Sequence, residues 1–167
     1  MANEEKIDEI LGRGVAEAIH LDNLRGKLIS GKIVRVKFGI DPTSPNIHIG
    51  RATAIWKLRE LQDLGHTIVF IIGDFTGVIG DTSDKESERP MLTKEVVEKN
   101  LDTYFEQAGK ILDMSKVEKH RNTEWLEALT YREITEHAEV FSLSDFIARE
   151  NIKIRLEKGT RVSLREL

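Results

Sequence analysis

Between Asp41 and Arg51 the chain reads Asp-Pro-Thr-Ser-Pro-Asn-Ile-His-Ile-Gly-Arg, residue types suited to handling a nucleotide phosphate. An apolar run, Ile33 to Ile40, precedes this stretch and reads as a buried strand. Ala52 to Leu64 follows and reads as a helix. Helix N-termini carry unpaired N–H groups and partial positive charge, which suits an anion. His48 and Arg51 stand three apart and are expected on one helical face. Gly50 between them lets a flat ring or a phosphate approach the backbone. A glycine inside a helix costs roughly 1 kcal/mol relative to alanine, so Gly50 calls for a reason of this kind.

A second cluster follows. Gly73-Asp74-Phe75-Thr76-Gly77-Val78-Ile79-Gly80-Asp81 reads as a glycine-punctuated turn leaving a strand. Thr82 to Pro90 is polar and reads as a mobile loop carrying Lys85 and Arg89. Gly77 to Lys85 is not a Walker A loop, because its lysine follows no glycine and precedes no Ser or Thr. Gly12-Arg13-Gly14 follows no strand and is no dinucleotide fingerprint. His20, His66, His120 and His137 lack metal-ligand spacing, so no metal site is expected.

Positioning these residues takes an α/β frame. His66 to Ile72 is apolar on both faces, as a parallel strand between helix layers would be. With Ile33–Ile40 and the intervening helix it makes a βαβ unit of a Rossmann-like parallel sheet. Lys116 to Arg121 reads as a weak third strand. Short helices are expected over Glu4–Leu11, Val15–Ile19 and Asp22–Ser30, with Asp22 as a cap and Gly31 and Gly65 as stops. Thr93 should cap a long helix over Lys94–Leu112, whose Val97, Leu101, Tyr104 or Phe105, Ala108, and Ile111 or Leu112 keep helical spacing. Helices are expected around Glu124–Leu129, Tyr131–Ala138 and Ser144–Glu150, and Trp56 and Trp125 are assigned to the core.

Composition narrows the function classes. A net charge of -4 argues against bulk electrostatic nucleic-acid binding. The lack of cysteine excludes disulfides and thiolate metal sites and fits a reducing cytoplasm. No apolar run reaches membrane-spanning length.

The order Val36-Lys37-Phe38-Gly39-Ile40-Asp41-Pro42-Thr43, His48-Ile49-Gly50, Leu61 to His66 and Ile72 to Asp81 resembles the bacterial tyrosyl-tRNA synthetase family, in its "VKFG" and "IGDFTG" branch. The likeness continues through Glu88-Arg89-Pro90, Asn122 to Leu126 and Arg149 to Gly159. It implies the catalytic half of a class I synthetase that activates L-tyrosine with ATP and Mg²⁺ and loads tRNA(Tyr). It also implies His48, Gly50, Arg51 and Thr43 on ATP, and Gly39 and Asp41 on the adenylate. Thr76 and Asp81 would hold tyrosine, and Lys85 and Arg89 the pyrophosphate. Arg51 replaces the last histidine of the "HIGH" signature, and Lys37 stands where another branch has a tyrosine that contacts the substrate hydroxyl.

Residues 1–32 are expected to form a helical segment and 33–167 the first half of the Rossmann-like domain. Ser163-Leu164-Arg165-Glu166 is a helix-start signal one residue from the last, which suggests a cut inside a larger enzyme. The second sheet half, the lysine-rich "KMSKS" loop and the anticodon-binding domain would then lie beyond it. Such parents are homodimers; the isolated chain would be weakly active or inactive. Two rivals remain open at this point: another nucleotidyltransferase with an "HxGH" element, and a nucleotide-binding fragment without turnover.

Overall fold

The computed structural model describes residues 4–79 and 93–163. The chain divides into two compact units. One comprises residues up to Ile40, Ser44–Ile71 and Asp102–His120; the other comprises Asp41–Thr43, Ile72–Leu101 and residues from Arg121 onward. Among the described residues no helix is long and apolar enough to cross a membrane.

The first unit holds the sheet except for the last residue of β2 and of β3. Strands β1 (Arg35–Ile40), β2 (Thr67–Ile72) and β3 (Val117–Arg121) pair in the order β1-β2-β3 as a parallel sheet. β2 is central and carries the densest apolar burial: Ile68 and Phe70 are fully buried. A strand covered on both faces must be apolar at every position, which explains its unbroken Ile-Val-Phe-Ile-Ile run. Phe70 meets Phe38 edge-on at 5.5 Å and Phe105 at 5.9 Å between ring centroids.

Helix α1 (Glu4–Gly12) buries Ile7 and Ile10, and α2 (Leu21–Ile29) buries Leu28. α3 (Ile49–Asp63) buries Ile55, Leu58 and Gln62, an i, i+3, i+7 stripe. Trp56 lies off that stripe and is 58% exposed, and Trp125 is 44% exposed; neither belongs to the core expected of them. Lys57 of α3 donates from Nζ to the carbonyls of Ile10 and Arg13, 2.9 Å each, tying down the end of α1.

Residues 15–19 form no helix, contrary to expectation. Five residues are too few to nucleate one, and Ile19 is 79% exposed, so no buried face compensates. Asp22 is not a cap but sits in the first turn of α2, whose cap is His20 in a left-handed conformation, φ 55°. Gly31 and Gly65 do end helices with positive φ, 73° and 90°.

The long helix α5 (Lys94–Ala108) is shorter than its apolar pattern suggests. It breaks at Gly109, yet Leu112 N–H still donates to Ala108 O at 2.9 Å. The turn therefore continues and Leu112 stays 2% exposed. In the second unit, residues 74–79 form a short helix α4 (Asp74–Ile79), not an open turn. α6 (Thr123–Leu126), α7 (Tyr131–Ala138), α8 (Leu143–Ile147) and α9 (Glu150–Glu157) follow. α9 goes beyond the expected helix ending at Glu150, with Ile152 and Arg155 buried.

His66 links the starts of β1 and β2: Val34 N–H donates to its Nδ1 at 3.3 Å. The ring is 8% exposed, and burial holds its pKa below the ordinary 6.5. The unfolded chain therefore binds this proton more readily than the folded one. By linkage, His66 leaves stability untouched above about pH 6.5 and lowers it as pH falls below that value. The urea midpoint should drop between pH 7.5 and 5 more steeply in the wild type than in His66→Asn, which keeps an acceptor near Nδ1 but does not titrate. Equal slopes would show that His66 contributes nothing to acid sensitivity.

Candidate functional site

β1 ends at Ile40, and the chain turns at once. Thr43 N–H donates to Asp41 O at 2.9 Å, a three-residue turn about buried Pro42. Proline sets the φ that such a turn needs. Asn100 of α5, itself 5% exposed, donates from Nδ2 to Pro42 O at 2.8 Å. Asp41 and Thr43 are thus held by backbone contacts that leave their side chains half-buried.

In the second unit Asp41 meets Thr76. Thr76 Oγ1 donates to Asp41 Oδ1 at 2.7 Å and accepts from Asn122 Nδ2 at 2.8 Å. Asn122 Oδ1 accepts from Phe75 N–H at 2.9 Å. Asp74 accepts from Thr123 N–H at 3.1 Å and from Thr123 Oγ1 at 2.8 Å. These bonds clamp the first turn of α4 against residues 122–123. Gly73 makes the arrangement possible, since a Cβ there would lie 1.8 Å from Asp41 Oδ1 and 2.4 Å from Thr76 Oγ1.

In the first unit His48 is the N-cap of α3, with extended backbone at φ -63°, ψ 145°. It is not a helical residue, so the shared face with Arg51 expected from the spacing does not apply. Its Nδ1 accepts from Gly50 N–H at 3.0 Å. An imidazole that accepts at Nδ1 carries its proton on Nε2 when neutral. The exposed edge of His48 is therefore an N–H donor beside the helix tip.

Gly50 is in the first turn rather than mid-helix, so the interior penalty does not apply to it. A Cβ at Gly50 would sit 3.2 Å from His48 Nδ1, so the glycine makes room for the capping ring. Arg51 follows, with its N–H donating to His48 O at 2.8 Å. Gly39 lies exposed on β1 and, among the described residues, only the Lys37 side chain comes within 4 Å of a Cβ placed there.

Each of the other described α-helices carries an acidic residue in its first turn; α3 carries none. No carboxylate of its own first turn offsets the positive end of α3. α5 holds the approach to this end. Gln107 Oε1 accepts from Ile47 N–H at 2.8 Å, while Thr103 Oγ1 and Gln107 Nε2 donate to Pro45 O at 2.8 and 2.9 Å.

The structure therefore brings Asp41 and Thr76 together, and seats His48, Gly50 and Arg51 on one helix tip. Asp81, Lys85 and Arg89 lie outside the described residues. Asn100, Thr103, Gln107 and Asn122 were not singled out from the sequence. Each is an amide or hydroxyl whose partner lies tens of residues away, a pairing that no local pattern announces. One cavity of about 190 Å³ in the second unit is lined by Asp74, Phe75, Val78, Val97 and Thr123 among others, but not by Asp41, Thr43 or Thr76. Among the described residues no three His, Cys, Asp or Glu side chains gather as a metal cluster.

Comparison with known proteins gives these positions a context. The model of the family described as tRNA synthetases class I (W and Y) matches residues 30–167. The tyrosine–tRNA ligase of Dehalococcoides mccartyi is 43% identical over 164 residues, 98% of this chain and 41% of that protein. The tyrosine–tRNA ligase of Thermotoga maritima is 42% identical over 166 residues, 99% of this chain and 41% of the relative. The chain thus spans about two fifths of the length of these curated relatives.

Solved structures share the fold. A C-terminally truncated mitochondrial tyrosyl-tRNA synthetase of Aspergillus nidulans superposes with a TM-score of 0.78 at 21% identity, covering 98% of this chain and 49% of that one. The tyrosyl-tRNA synthetase of Archaeoglobus fulgidus, complexed with L-tyrosine, does so at 0.67 and 19%, covering 96% and 46%. An "HxGH" nucleotidyltransferase outside the synthetases would not match a synthetase model from residue 30 to the last residue. On that match, the chain belongs to the class I tRNA synthetases of the W and Y type.

Proposed function

We propose that this chain carries part of the adenylate-forming centre of a tyrosine–tRNA ligase. The reaction joins L-tyrosine to Mg-ATP, giving tyrosyl-adenylate and pyrophosphate, and then loads tRNA(Tyr). The names of the curated relatives support tyrosine as the substrate. The observation that carries the reading is the capping geometry of His48, an exposed residue whose Nδ1 is taken by Gly50 N–H at a helix with no acid in its first turn.

The tyrosine carboxylate is already ionised and attacks the α-phosphorus in line, so the protein need supply no nucleophile and no base. Negative charge builds on the five-coordinate phosphorus and on the leaving pyrophosphate. Donors that meet this charge only at the transition state raise the rate without tightening ground-state binding. We assign that role to His48 Nε2–H and the Thr43 hydroxyl, with Arg51 as a fixed positive charge on the ATP side. Gly39 and Gly50 allow close backbone approach, and the Asp41 N–H faces the adenylate phosphate. Thr76 lines the tyrosine pocket and Asp81 takes the tyrosine ammonium; Lys85 and Arg89 take the pyrophosphate. The magnesium ion enters with the triphosphate as part of the substrate. At the relatives' full length the reading implies a cytoplasmic homodimer.

The test is amino-acid-dependent pyrophosphate exchange into ATP, run across the twenty amino acids. It should be run on this chain and on a chimaera in which the chain replaces the matching segment of the Thermotoga maritima ligase. Exchange with tyrosine is expected in the chimaera, with much slower turnover by the chain alone. Exchange with another amino acid and none with tyrosine would reject the reading.

A further inference from the structure

Gln107 grips two consecutive peptide groups of the segment that leads into α3. Its Oε1 accepts from Ile47 N–H at 2.8 Å, and its Nε2 donates to Pro45 O at 2.9 Å, so the two bonds bracket Asn46. The amide has a single workable orientation. Ile47 N–H can only donate and Pro45 O can only accept, so a flipped amide would set donor against donor and acceptor against acceptor. Thr103, one turn earlier on α5, braces it. The Thr103 hydroxyl accepts from Gln107 Nε2 at 2.9 Å and donates to Pro45 O at 2.8 Å. Ser44 Oγ closes the segment on itself, donating to Asn46 O at 2.9 Å. All of these residues lie in the first unit.

His48 comes next. Only the two soft dihedrals of Ile47 separate the pinned peptide from His48 Cα. On the other side His48 O is held by α3, accepting from Arg51 N–H at 2.8 Å and from Ala52 N–H at 3.1 Å. With its carbonyl fixed, His48 can still turn about its Cα–C bond. That rotation swings the backbone N and the Cβ together, so holding the chain before His48 also holds the direction of its ring. The cap bond alone is a weak hold. Histidine is not among the favoured capping residues. His48 is exposed, and a single hydrogen bond there competes with water. An imidazole held from one side only would sample orientations in which Nδ1 leaves Gly50 and the ring turns over.

Resting on the tyrosine-activation reading, we propose that Gln107 is a positioning residue for His48. Its side-chain amide, braced by Thr103, holds the chain entering α3 so that the His48 ring keeps Nδ1 on Gly50 N–H and its proton on Nε2 for the reaction. Gln107 itself need not touch substrate. Glutamine suits the task because one side chain supplies an acceptor and a donor side by side. Methionine matches its length and supplies neither.

The test has two arms. The first is NMR on the 167-residue chain at about pH 8, above the ordinary imidazole range. In the wild type a scalar coupling across the hydrogen bond should join the Gly50 amide nitrogen to His48 Nδ1. Gln107→Met should weaken or abolish that coupling while leaving the amide signals of β2 in place. The second arm is tyrosine-dependent pyrophosphate exchange in the Thermotoga maritima chimaera. Gln107→Met should lower kcat by about 10-fold or more, the scale of a misplaced catalytic group, with KM for ATP changed by less than about 2-fold. In a His48→Ala background the same substitution should change kcat by less than about 2-fold, because the ring through which Gln107 acts is gone.

If Gln107→Met does not fold, Gln107→Glu keeps the length and an acceptor but cannot donate when ionised. It should show the same loss of coupling and the same dependence on His48. An undiminished Gly50–His48 coupling in a folded Gln107 variant would overturn the proposal. So would an equal fall in kcat with and without the His48 ring, which is what general loosening of the fold produces. Coupling lost on substitution, in a chimaera that exchanges with another amino acid and not with tyrosine, would reject the tyrosine reading and uphold the positioning role.

Discussion

Gly73→Ala is expected to be among the most damaging single-methyl changes in the chain. The added Cβ would lie 1.8 Å from Asp41 Oδ1, 2.4 Å from Thr76 Oγ1 and 3.0 Å from Asp41 Cγ. No pair of atoms tolerates the first two distances, so something must move. Asp41 is a poor candidate for yielding cheaply. Its side chain is short, and the turn that bears it is pinned by Asn100 on Pro42 O. Thr76 is tied to Asn122 at 2.8 Å. The remaining escape is a backbone shift where β2 runs into α4.

Forced packing of this kind typically costs about 1–3 kcal/mol. Misplacement of a substrate-holding group by about 1 Å can remove 10²-fold in rate. The variant should therefore unfold at lower urea and lose tyrosine-dependent exchange by about 10²-fold. Gly26→Ala is the control, because nothing lies within 4 Å of its added Cβ. A Gly73→Ala chain as stable and active as the wild type would mean that the Asp41–Thr76 contact is not populated.

The same region shows where the sequence is legible and where it is not. β2 is readable because its whole run is apolar, which only a doubly covered strand requires. α3 is readable from its strand–turn–helix context and its Gly65 stop. α4 is not readable, because Gly73, Asp74 and Gly77 are the residues of an open turn. The helix forms because residues far along the chain complete it. Thr123 binds Asp74, and Asn122 takes Phe75 N–H and Thr76 Oγ1. Tertiary partners have overridden local preference there.

α9 escapes notice for a related reason. Its buried face includes Arg155, which is fully buried, so an expected apolar position carries a charged residue. The tryptophans err in the other direction: large apolar side chains are assigned to the core by type, yet Trp56 is placed by the α3 stripe on the opposite face. In the candidate site, motif and resemblance single out the residues proposed to touch ligand. The residues that hold them are not so marked. Asn100, Gln107 and Asn122 act across sequence separations of 46 to 62 residues, and an isolated amide in a sequence gives no sign of its partner.

His48→Ala is expected to lower the rate of tyrosine activation by about 10²–10³-fold, the usual effect of removing one preorganised donor from developing negative charge. Ground-state affinity for ATP should change far less, because the contact strengthens only as charge builds. The structure adds a complication that a motif alone would hide. His48 also caps α3 through Nδ1, and removing a cap costs about 1 kcal/mol of stability. A slower enzyme could then reflect a frayed helix tip. His48→Asp separates the two roles. Aspartate is a favoured cap, so α3 should keep its stability or gain slightly from the added negative charge at its N-terminus. The same carboxylate has no N–H to offer and would repel the leaving pyrophosphate. If the outward Nε2–H is what matters, His48→Asp should be at least as slow as His48→Ala while unfolding like the wild type. Pyrophosphate exchange and urea denaturation on the same preparations measure both. An aspartate variant that is stable and restores the rate would reduce His48 to a cap and remove it from the chemistry.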